Sequence, residues 1–195
     1  MSELLRDSEE SWPVVSTTPV YRDEWVMTVD RDEITRPEGG DPFTRLVVSH
    51  PGAAVTIAVD EDERVLCLRQ YRHASKRRMI ELPAGVLDQE GEPTVHVAQR
   101  ELQEEAGYAA DEWTPLITYS SSPGYSTEVI YCYLARGLRE VGHGDFVHEH
   151  EEADLEIFWA PFDELLDAVF RGDVRNGLTV ACVLAYDAWR RREQR

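Results

Sequence analysis

The stretch between Gly85 and Tyr108 constrains this chain more than any other. Val95, Ala98, Leu102 and Ala106 recur there at helical spacing, Pro93 suits a first turn and Gly107 a C-terminal cap, so the pattern predicts a helix over residues 93–106. On that helix Glu101, Glu104 and Glu105 share about a third of the circumference, beside the apolar stripe and not opposite it. Like charges at i, i+3 and i+4 repel, which destabilises an isolated helix unless a cation compensates them. Carboxylates converging in this way suit a hard divalent ion, and Mg²⁺ accepts one or two of them together with water and phosphate oxygens. A solvated acidic helix face is the plainer alternative, and the triplet alone leaves it open.

The rest of the chain predicts an α/β protein. Strand patterns at Val14–Val20, Trp25–Val29 and Thr44–Val48, separated by turn chemistry at Pro19, Pro37–Gly40 and Asp41-Pro42, form a small N-terminal antiparallel β unit over residues 12–48. Residues 1–11 are polar and acidic and read as a disordered tail. Ala53–Val59, Arg64–Gln70 and Met79–Leu82 open the principal sheet of a main domain over residues 49–195. Leu116–Tyr119, Val129–Ala135 and Leu155–Ala160 continue it, and helices follow at Phe162–Phe170 and Gly177–Arg192. Val141–Asp154, rich in histidine and acidic residues and without periodicity, is expected to be a mobile loop.

Composition excludes several classes. No apolar run approaches the roughly eighteen residues of a membrane helix, and the acidic N-terminus lacks the pattern of a secretory signal, so a cytoplasmic protein is expected. A formal net charge of −18 disfavours nucleic acid or an anionic membrane as partner of the whole surface, so an anionic substrate would have to be held locally. Cys67, Cys132 and Cys182 stand singly in apolar surroundings and read as buried, reduced thiols.

The order Arg100-Glu101-Leu102-x-Glu104-Glu105-x-Gly107, with Gly85 and Glu92 upstream, resembles the signature of Nudix hydrolases, G-x5-E-x7-R-E-U-x-E-E-x-G-U with U apolar. One residue is extra between Gly85 and Glu92, in the loop before the helix, so the departure bears on Glu92 and not on the helix carboxylates. The resemblance implies a Nudix fold, with a mixed sheet between helices, and metal-assisted attack of water on a diphosphate. It implies Mg²⁺, or Mn²⁺ in its place, at two or three ions per site. The ligands would be Glu101, Glu104, Glu105 and the carbonyl of Ala84, with Arg100 orienting Glu101 by a charge-assisted hydrogen bond.

Further motifs narrow the resemblance. Six of the ten residues Arg69–Arg78 are basic or histidine, a local reversal of charge that an anionic diphosphate would need. Lys76–Arg78 read as a solubilising hairpin turn, whereas Arg72, at a strand end, reads as substrate-binding. Gln70-Tyr-Arg72, then Glu81-Leu-Pro-Ala-Gly85, then Ser122-Pro123-Gly124, is similar to ADP-ribose pyrophosphatases. That likeness implies substrate contacts at Arg72, Val86, Pro123 and Gly124, a general base at Glu152 with Glu151 as the alternative, and a base-stacking aromatic, Trp25 or Tyr21. It also implies a homodimer joined through the N-terminal β unit. The expected reaction is hydrolysis of ADP-ribose to AMP and ribose 5-phosphate. Rival readings are the same chemistry on a sugar nucleotide, dinucleotide or diadenosine polyphosphate, or a nucleotide-sensing module without catalysis.

Overall fold

A computed structural model describes residues 5–22, 26–144, 146 and 154–193. Two compact units are present, one formed by residues up to His50 together with Ser122–Thr127, the other by Pro51–Ser121 and Glu128 onward.

In the N-terminal unit β1 (Val14–Arg22), β2 (Thr28–Ile34) and β3 (Phe43–Ser49) pair antiparallel in that order. The expected strand at Trp25–Val29 begins only at Thr28, with residues 23–25 outside the described set. Val48 extends this sheet to the segment Ser122–Thr127, since its N–H donates to the Tyr125 carbonyl at 2.7 Å and its carbonyl accepts from Thr127 at 3.0 Å. A piece of chain seventy-odd residues downstream is thereby drawn into the unit, which no local pattern announced.

The second unit is layered. Its four-stranded sheet has the order β7 (Ala84–Val86), β4 (Ala53–Ala58), β9 (Val129–Glu140), β8 (Tyr108–Ser120), with β4 and β9 parallel and the other pairs antiparallel. β4 is buried throughout, and its alternation builds the two layers. Val55 and Ile57 face a core shared with Cys132, Leu134, Cys182, Val183 and Tyr186. The small residues Ala54, Thr56 and Ala58 take the other side, where α1 (Thr94–Ala106) seats Val97, Ala98 and Leu102 on them. The helix approaches closely enough for the Thr56 hydroxyl to donate to the Ala98 carbonyl at 3.3 Å. Short side chains on one parity and branched ones on the other thus decide which helix lies closer.

β5 (Arg64–Arg72) does not extend this sheet as its sequence position suggests. It forms a second, antiparallel sheet of order β10 (Glu156–Pro161), β5, β6 (Arg77–Glu81), which packs on the first through Val65 and Cys67 and, among the described residues, is joined to it in backbone pairing by an isolated bridge between Val59 and Val65. α2 (Phe162–Arg171) and α3 (Gly177–Glu193) complete the unit. The three cysteines are free and buried, and burial pushes the Cys67 thiol up to about 12, so it carries no thiolate near neutrality. Among the described residues no helix is long and apolar enough to cross a membrane.

Candidate active site

α1 presents the acidic residues as its spacing requires. Val97, Ala98, Leu102 and Ala106 are buried, Glu105 is buried with them, and Glu101 and Glu104 flank them half-covered. Gly107 ends the helix in the left-handed region at φ 75°, its N–H returning to the Gln103 carbonyl at 2.8 Å, a conformation that glycine adopts without penalty.

Strand β7 meets the helix at this acidic flank. The backbone N–H of Ala84 donates to Glu105 Oε2 at 2.8 Å, tying the carboxylate to the strand. Gly85 packs directly on Glu101, and a Cβ there would fall inside the Glu101 side chain. The glycine is therefore a steric requirement of the glutamate's position.

Arg100 sits among carboxylates. Its Nη1 donates to Glu101 Oε1 at 2.8 Å and to Glu104 Oε2 at 3.3 Å, and its Nη2 lies 3.6 Å from Glu92 and 3.7 Å from Asp88. Burial opposes its charge, but the four carboxylates prevail and hold its pKa above the ordinary arginine value. Glu92 joins this group despite the extra residue before it. The turn closed by the Glu92 N–H on the Gln89 carbonyl, with Gly91 at φ 80°, takes up the insertion. Glu92 Oε2 and Arg100 Nη2 are buried without a hydrogen-bond partner among the described residues, although they face each other at ion-pair range.

Glu92, Glu101, Glu104 and Glu105, with the neighbouring β7 carbonyls, offer hard oxygen atoms, and the first three share a single guanidinium, so the set fits Mg²⁺ or Mn²⁺ better than a soft ion. No group of three His, Cys, Asp or Glu among the described residues is drawn together as a ready-made cage. Arg100 holds Glu101 and Glu104, and an arriving cation would compete with it for them.

The other expected residues fall in several places. Arg72, at the end of β5, is held by Glu81 of β6 in a bidentate pair, Nε to Oε1 at 3.0 Å and Nη2 to Oε2 at 2.7 Å, with the Glu81 side chain 6% exposed. Val86 is half-buried on β7, opposite Ala53. Pro123 and Gly124 lie in an exposed turn of the N-terminal unit, where Ser126 N–H donates to the Ser122 carbonyl at 2.9 Å. Tyr21 is on β1 with 55% of its surface exposed. Trp25, Glu151 and Glu152 lie outside the described residues.

Several neighbours escaped the sequence reading. Glu81 was visible only as part of a motif, and nothing local marked it as Arg72's partner. His143 hydrogen-bonds the Glu104 carbonyl at 2.8 Å through Nδ1, and borders with Phe146 a cleft of about 490 Å³ over Arg100 and Glu104. In the N-terminal unit Trp12 and Phe43 meet edge to face at 6.3 Å, Arg45 lies over the Phe43 ring at 4.6 Å, and these residues line a cleft of about 730 Å³.

A family model described as the NUDIX domain matches residues 48–178. The chain belongs to the Nudix hydrolase family. Nudix hydrolases generally use divalent metal ions, in keeping with the oxygen-only donor set on α1. An ADP-ribose pyrophosphatase of Mycobacterium tuberculosis (strain ATCC 25618 / H37Rv) is 43% identical over 163 residues, which is 84% of this chain and 77% of that protein. A methanol dehydrogenase activator of Bacillus methanolicus is 32% identical over 158 residues, 81% of this chain and 83% of that one. The crystal structure of an ADP compounds hydrolase superposes with a TM-score of 0.79 over 96% of this chain and 98% of its own, at 20% identity, and supports the Nudix fold.

Proposed function

We propose that this Nudix hydrolase cleaves the pyrophosphate bond of ADP-ribose, releasing AMP and ribose 5-phosphate, with Mg²⁺ or Mn²⁺ at two or three ions per site. The observation that carries the reading is the α1 carboxylate set, seated against β7 by Ala84 and Gly85 in a chain 43% identical to an ADP-ribose pyrophosphatase. Bound divalent ions supply neutralisation of the diphosphate and a polarised water. The chain's own groups do the rest. Arg100 orients Glu101, the Ala84 N–H fixes Glu105, and Arg72, held ready by Glu81, meets a phosphate oxygen. Glu152, or Glu151 in its place, takes the proton from the water that attacks phosphorus as the anhydride P–O bond breaks. Val86, Pro123 and Gly124 contact substrate, and Trp25 or Tyr21 stacks on the base. The Trp12 and Phe43 rings with Arg45 add a second surface suited to a planar base.

The protein acts in the cytoplasm as a homodimer through residues 12–48. β1 supports this assignment, because it is an edge strand of nine residues, all exposed in the single chain, with Val14, Val15, Val20 and Tyr21 each more than half exposed.

The test is release of AMP from ADP-ribose under Mg²⁺, set against a sugar nucleotide, a dinucleotide and a diadenosine polyphosphate. Preferred turnover of another member of that panel would replace the substrate, and no turnover of any would favour a sensing module. Glu152→Gln is expected to lower kcat on the order of 10²–10⁴-fold with little change in KM. A change confined to KM would make Glu152 a binding residue.

A further inference from the structure

We infer that a second anion site, built for a phosphate dianion, lies at the outer edge of β6, separate from the α1 carboxylates. A cleft of about 380 Å³ is lined there by Arg69 of β5, Arg77 and Arg78 of β6, and Arg175 from the segment between α2 and α3. Four guanidiniums around one small cleft are unexpected in a chain of net charge −18.

Among the described residues their partners leave them incompletely neutralised. Arg77 and Arg175 have no carboxylate partner among the described residues, and Arg175 donates only to the Gly172 carbonyl, at 2.6 Å. Arg69 reaches Glu156 at 3.4 Å and Arg78 reaches Asp154 at 3.2 Å, but these carboxylate side chains are 59% and 77% exposed, so the pairs are weak and easily displaced. Asp173, the acidic residue in the lining, is engaged by Arg171 at 2.9 Å.

Register sets part of the lining, Arg69, Arg78 and Ile80, on the face opposite Arg72 and Glu81. Arg69 stands opposite Ile80 and Leu68 opposite Glu81, so Ile80 and Glu81 take opposite faces of the β5–β6 pair. Arg69 and Ile80 line the cleft, whereas Glu81 binds Arg72. β6 is the edge strand of its sheet, which lets Arg77 and Met79, of the other parity, border the cleft as well.

The ligand class follows from size and charge. Guanidinium forks meet phosphate oxygens in pairs, and several of them converging on one compact space favour a single dianionic head over carboxylates strung along a peptide. The half-buried Met79 and Ile80 give the cleft an apolar wall, and its volume lies in the range of small-ligand pockets. Free phosphate and the terminal phosphate of a sugar phosphate or nucleoside monophosphate share this chemistry. Hydrolysis of any nucleoside diphosphate derivative releases compounds of this class. The inference stands whether or not ADP-ribose is the substrate.

The test is calorimetric titration of the full chain at constant ionic strength in EDTA, with inorganic phosphate, ribose 5-phosphate and AMP as separate arms. Saturable binding is expected in at least one arm, weakened roughly tenfold or more in Arg77→Ala/Arg175→Ala. It should persist in Glu105→Gln, and in the two monoester arms weaken as pH falls from about 8 to below their second pKa near 6. Equal affinity in all arms assigns recognition to phosphate alone, and preference for AMP adds the apolar wall. No saturable binding in any arm, or unchanged binding in the double variant, overturns the inference. So does a double variant that alters only the oligomeric state, which would make the cleft an interface between copies.

Discussion

Single atoms decide much of the chemistry. Gly85 has no Cβ because Glu101 occupies the space one would take, so Gly85→Ala must push Glu101 off β7. Loss of most turnover is expected, with Mg²⁺ activation shifted to higher concentration, both measured in the ADP-ribose assay. Glu105→Gln should remove turnover without unfolding the chain, since the amide oxygen still accepts from the Ala84 N–H. Near-normal rates at saturating Mg²⁺ would refute the ligand assignment. Tyr119 offers a contrast, because its hydroxyl is buried without a partner among the described residues and burial raises its pKa. Tyr119→Phe removes an unsatisfied polar atom and should leave thermal stability equal or higher, read by calorimetry.

At the scale of elements, one network closes the second unit. Glu63, in the turn between β4 and β5, accepts from Tyr186 of α3 at 2.7 Å and pairs with Arg136 of β9 at 2.5 Å, while its carbonyl accepts from Phe162 at the start of α2. Glu63 holds φ 57°, a left-handed conformation that this network maintains against its intrinsic cost. Burial alone would raise the Glu63 pKa, but hydrogen bonds from Arg136 and Tyr186, with the charges of Arg136 and Arg190, lower it overall. A carboxylate whose pKa is depressed on folding contributes stability above its unfolded pKa and loses it as pH falls through the folded value. Glu63→Gln should therefore be less stable than wild type at neutral pH, the difference shrinking below about pH 4. A constant gap across that range in denaturant titrations would remove Glu63's charge from the account.

For the whole molecule, the proposed assembly turns on β1. Its apolar residues are exposed on an edge that no other described strand pairs with, and natural proteins usually cover such an edge. The double substitution Val15→Asp/Val20→Asp should convert a dimer to a monomer in sedimentation while leaving the second unit's melting transition in place. A wild-type monomer at assay concentration would dismiss the dimer. The chain's order suggests a boundary near residue 48, yet Ser122–Thr127 groups with the N-terminal unit through the Val48 ladder.

Features that repeat at short range follow from neighbouring residues alone. The helix at 94–106 and its glycine cap were legible because periodicity and capping are local, and the acidic flank because i, i+3 and i+4 neighbours share a face. β8 and β9 run to Tyr108–Ser120 and Val129–Glu140, well beyond the expected pieces, because Asp111, Glu112 and Arg139 are exposed and interrupt the apolar alternation. Long-range packing sets the rest: β5 leaves the β4 sheet, Glu81 holds Arg72, and Glu92 reaches Arg100 across an inserted residue. Those outcomes depend on which distant surfaces bury one another and where charges then find partners, and no window of neighbouring residues contains that information.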